Sequence, residues 1–89
     1  MLERVKMTSD NERIKALEEI IEILVLSIPR EVYSQKHYHK AAQSVSTKAG
    51  QEFFRSLVEE EMRHEANLKA KLEEFRQELK ELKGKDSTE

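Results

Sequence analysis

The chain has 89 residues, 37% hydrophobic and 38% charged, with a formal net charge of −2. One small domain fits that length, and its core is thin for a lone monomer, a shortfall that small proteins usually meet by oligomerising. The mixed charge offers no basic patch for nucleic acid, the absence of Cys removes disulfides and thiolate metal sites, and the longest apolar run, Ile23 to Ile28, is too short to span a bilayer.

Two Gly and one Pro, against sixteen Glu, leave little to interrupt a helix. Residues 1–8 carry no clear period and are expected to form a flexible lead-in. Ser9-Asp10-Asn11-Glu12 then reads as a capping box that opens a helix. Its stripe is Ile14, Leu17, Ile21, Leu24, Ile28, Glu31, Gln35, Tyr38, Ala42 and Val45, in alternating steps of three and four. That is a heptad-like seam, the pattern by which helices pack nearly antiparallel. Pro29 interrupts the backbone hydrogen bonding of this helix, yet the seam continues through it. The reading is one helix over roughly 10–45, kinked near Pro29; a break with Ser27 as a new N-cap is the alternative.

The turn falls in Gln43–Gly50, with Ser46 or Thr47 capping a second helix that runs to about Lys83. Gly84 is the expected stop, and 84–89 a flexible tail. The second stripe is Phe54, Leu57/Val58, Glu61, His64, Leu68, Leu72, Phe75, Leu79 and Leu82. Two helices of similar length joined by a short turn make an antiparallel hairpin over residues 9–83. Folding the chain about Ser46 sets Tyr38 opposite Phe54 and Glu31 opposite Glu61, each of the last pair fifteen residues from the turn.

Glu31, Glu61 and His64 thus share one level of a stripe that is otherwise apolar. Unpaired charge there costs several kcal/mol, so the three need a common partner. Glu61 and His64, three apart, lie on one face and can grip one ion. Each hairpin is half of a four-helix bundle, and a second copy completes it, bringing two Glu31, two Glu61 and two His64 into one layer. Four carboxylates balance two divalent cations.

Glu31-Val32-Tyr33-Ser34-Gln35-Lys36-His37-Tyr38 with Ala41-Ala42, and Phe53-Phe54-Arg55-Ser56-Leu57-Val58-Glu59-Glu60-Glu61-Met62-Arg63-His64, resemble the two metal helices of rubrerythrin and ferritin-like di-iron carboxylate proteins. In length and half-bundle architecture the chain is most similar to the short-chain encapsulated ferritins. The resemblance implies an all-α fold in which a long antiparallel hairpin dimerises into a ferritin-like four-helix bundle. It implies Glu31, Glu61 and His64 as catalytic iron ligands, two Fe per dimer interface with Mn as the alternative metal, and ferroxidase activity with O2 or H2O2 as oxidant. Gln35 and Tyr38 become candidates for hydrogen-bonding the ligands, and Glu60 a candidate secondary metal or entry site. His37 and His39 lie off the seam and are expected to be solvated.

Two other functions share these residues. One is a rubrerythrin-like peroxidase with an external electron donor, since a chain without Cys carries no rubredoxin-like module. The other is a metal-free, coiled-coil-like dimer whose polar layer fixes its register. A cytoplasmic setting is expected, with the interior of a protein shell as the variant the resemblance suggests; no loading tail is recognised. No nucleic-acid or membrane partner is expected.

Overall fold

The computed structural model describes residues 9–87 and contains two helices, α1 (Asp10–Ser44) and α2 (Lys48–Ser87), folded against each other as a hairpin. The expectations for residues 1–8 and for the last two residues fall outside the described part of the chain.

The capping box forms as the sequence predicts. The Ser9 hydroxyl accepts from the Glu12 amide at 3.1 Å, and the Glu12 carboxylate accepts from the Ser9 amide at 3.3 Å. Asp10 and Glu12 add negative charge where the helix dipole is positive. The helix then runs through Pro29 without a break. Ser27 is not a new cap: its hydroxyl donates backward to the Ile23 carbonyl at 2.7 Å, whereas an N-cap would accept from amides ahead of it.

α1 ends at an extended Val45, whose amide donates to the Ala41 carbonyl at 3.1 Å. Thr47, rather than Ser46, caps α2: its hydroxyl accepts from the Gly50 amide at 3.1 Å. The Gln51 side chain reaches back to the Val45 carbonyl at 3.2 Å, tying the start of α2 to the end of α1. Val45 and Thr47, the two ends of this three-residue link, thereby help to fix the angle at which the helices meet.

The pairing follows the fold point. Tyr38 stacks on Phe54 with ring centroids 6.2 Å apart, and Arg13 reaches Glu78 at 3.5 Å near the open end of the hairpin. Among the described residues, only Leu17, Ala42, Leu72 and Leu82 are buried. The remaining stripe residues are half-buried, apart from the exposed His64, because two helices can cover only one side of each other's apolar face. No described helix is long and apolar enough to cross a membrane.

Gly84 does not stop α2, which continues to Ser87. A glycine terminates a helix by adopting the left-handed conformation, and no described glycine has positive φ. A Cβ added at Gly84 meets nothing within 4 Å, whereas one at Gly50 would lie 2.9 Å from the Thr47 hydroxyl oxygen that caps α2. Gly84→Ala should therefore raise stability by about 0.5–1 kcal/mol in thermal unfolding. Gly50→Ala should gain little or lose, because the helical preference of Ala is set against a displaced cap worth about 1 kcal/mol.

Candidate metal centre

Glu31 sits near the middle of α1, and Glu61 and His64 lie one turn apart near the middle of α2. Thirty residues separate the two carboxylates in sequence, and the hairpin brings them together. One ligand atom from each of the three side chains can be chosen so that all lie within 4.8 Å of one another. His64 Nδ1 is 3.2 Å from Glu61 Oε1 and 3.5 Å from Glu31 Oε1. The sequence-predicted trio is thus a physical cluster.

Its electrostatics follow from crowding two carboxylates in a half-covered seam. A shared proton with Glu61, reinforced by partial burial, pushes the Glu31 carboxyl above the usual carboxylate range. The same proton, together with neighbouring His64, holds Glu61 below it. The two therefore titrate as a pair. Glu31 Oε1 is nevertheless shielded from solvent and makes no hydrogen bond, His64 Nδ1 standing off at 3.5 Å, and such an atom calls for explanation, with an ion as one candidate.

The cluster is open on one side. Glu31 and Glu61 side chains are 23% and 20% exposed, and His64 is 57% exposed. Two carboxylates and one imidazole suit a borderline divalent cation such as Fe(II) or Mn(II). Three donors from one chain leave coordination positions unfilled.

The predicted supporting residues are placed unevenly. Gln35 does not bond a ligand carboxylate: its amide donates to Glu65 Oε1 at 2.7 Å and, at 3.5 Å, to the main-chain carbonyl of Glu61. It therefore steadies the backbone that carries the Glu61 side chain. Tyr38 lies two turns beyond Glu31, packed between Phe54 and His37, and its hydroxyl makes no hydrogen bond among the described residues. Glu60 is exposed and lies outside the cluster. His37 stacks on Tyr33 and His39 lies beside Gln43, both exposed as expected.

Sequence reasoning missed Glu65. It is one turn after Glu61, in phase with Val58 and Leu72, so its place beside the seam was available as a signal. Lys69 at 2.7 Å, and then Gln35, hold its carboxyl below the usual range. Glu65 is thus a fully engaged anion on the flank of the seam opposite His64.

Because Glu31 carries a raised pKa, its contribution to folding is present at low pH and is lost as pH rises through that pKa. Glu31→Gln should then stabilise the metal-free protein at pH 7. The advantage should shrink as pH falls and the wild-type carboxyl takes up its proton, as unfolding curves of the two proteins at pH 7 and pH 4 will show.

No family model matches this chain, and the searches of curated proteins and of solved structures found no match either.

Proposed function

We propose that the chain binds iron at Glu31, Glu61 and His64, and that two chains together hold two iron ions and oxidise Fe(II) to Fe(III). The observation that carries this reading is the convergence of the trio, with a Glu31 oxygen at its centre that is shielded from solvent and makes no hydrogen bond, His64 Nδ1 standing 3.5 Å away. A cation entering there is drawn to both carboxylates and offsets their mutual repulsion. His64, open to solvent, supplies the nitrogen and lies on the route of entry. Gln35 fixes the helix backbone at Glu61, so the ligand set is held in place before the ion arrives.

With a second copy the layer contains four carboxylates and two imidazoles, which balance the charge of two divalent ions. Iron supplies the redox chemistry: each Fe(II) gives one electron to O2 or H2O2. The protein's own contribution is to gather anionic charge that binds Fe(III) more strongly than Fe(II), and so to favour oxidation. Storage or detoxification of iron is the role this activity serves, with iron as substrate.

One observation favours a different reading. The raised Glu31 carboxyl and the neighbouring His64 imidazole ease the repulsion in the cluster without metal, as a polar layer that fixes the register of a structural dimer would require. The two readings part on the variants. Protein prepared without chelator should carry iron, and Glu61→Ala/His64→Ala should carry at least tenfold less while keeping its helicity. Equal, low iron in both would sink the iron reading. Glu31→Leu should lose iron and Fe(II) oxidation together, whereas the structural dimer predicts only neutral or increased stability. Faster turnover with H2O2 and an added electron donor than with O2 would move the assignment to a peroxidase.

A further inference from the structure

The two-chain reading leaves open which face of the hairpin receives the second copy and how that copy is turned. Two rows of residues flank the cluster. On α1, Ser27 lies four residues before Glu31 and Ser34 three after it, continuing to Ile20 and Ala41 at the same spacing. On α2, Leu57 and His64 stand in the same relation to Glu61, continuing to Gly50 and Lys71. The opposite flank is marked by Gln35 and Glu65. There α2 presents Lys48, Arg55, Met62, Lys69 and Arg76, a row at heptad spacing and cationic apart from Met62.

The geometry points to the face carrying Glu31, Glu61 and His64 as the seat of a second copy of this chain, turned about a two-fold axis perpendicular to the helices at the level of the cluster. Size and charge both carry it. On α1 the row is self-complementary about Glu31: Ile20 meets the partner's Ala41, and Ser27 meets the partner's Ser34. On α2 it is self-complementary about Glu61: Gly50 meets the partner's Lys71, and Leu57 meets the partner's His64. Large faces small or small faces small in each case but the last, and both helices place the axis at one level independently.

An axis parallel to the helices would instead pair Ile20 with the partner's Lys71 at one end and Ala41 with the partner's Gly50 at the other. That gives a clash and a gap. A second copy turned the same way on the opposite face would bring Arg55 against the partner's Lys69 and Lys48 against the partner's Arg76, cation on cation. Ile23 and Phe53, 62% and 56% exposed, flank the two rows on the cluster side and would be covered at the rim.

This inference rests on the two-chain reading of the site, and disulfide trapping tests it without metal. The chain has no Cys of its own. Ser27→Cys/Ser34→Cys, oxidised in the presence of chelator, should give a covalent dimer. Its two thiols lie seven residues apart on one helix, about 10 Å, too far to close within a chain. Neither single variant should link. Ser34→Arg should give a monomer in light scattering, while Val25→Arg on the opposite flank stays dimeric. Failure of the Ser27→Cys/Ser34→Cys pair to link while Ser34→Arg still dissociates the dimer would overturn the axis. Linking by Val32→Cys alone, or a dimer unmoved by Ser34→Arg, would overturn the face. Iron content is read separately: linked dimer without iron keeps the interface and removes the iron reading, and iron binding without the link does the reverse.

Discussion

The constraint behind this structure is that two helices can cover only one side of each other. Each stripe is wide enough to be buried on two flanks, and the hairpin supplies one. That leaves four buried side chains, a run of half-buried aliphatic residues and large apolar groups in solvent. It also places the one polar layer of the seam at the boundary between covered and uncovered, where Glu31 can lose solvent on one oxygen while His64 keeps it.

Charge within an apolar seam is tolerated only where something answers it. Here the answer is partial. Hydrogen bonding between the carboxyls raises the hold of Glu31 on a proton, and His64 stands against both, yet one Glu31 oxygen, 3.5 Å from His64 Nδ1, makes no hydrogen bond. Glu65 is the contrasting case: a carboxylate one turn away has each oxygen already held, one by an amide and one by an ammonium. The difference between a site and a salt bridge, in this molecule, is whether the lone pairs are already occupied.

Much of the fold and the trio itself could be read from residues alone. An unbroken alternation of three and four steps specified the first helix and a similar stripe the second, and counting from Ser46 placed Glu31 level with Glu61. What could not be read depended on rotamers and backbone angles. Gln35 was in phase with the ligands, but whether it reaches Glu61, Glu65 or a main-chain carbonyl is decided by a few tenths of an ångström. Gly84 looked like a terminator because glycine permits the left-handed conformation; permission is not a requirement, and the surrounding strong helix formers carried α2 onward. Pro29 and Ser27 together suggested a helix start, and the direction of the Ser27 hydroxyl bond decided against it.

The three-residue link has a kinetic consequence. Closing a loop costs more the longer it is, so contacts nearest the turn form first and the rest follow as a zipper. The Tyr38–Phe54 stack closes early, the Glu31–Glu61 level next, and the Arg13–Glu78 pair last. The carboxylates therefore meet while the arms beyond them are still apart, and the repulsion between them acts as a brake partway along the closing hairpin. Anything that neutralises that layer, a proton or a cation, releases the brake and speeds the second half of folding.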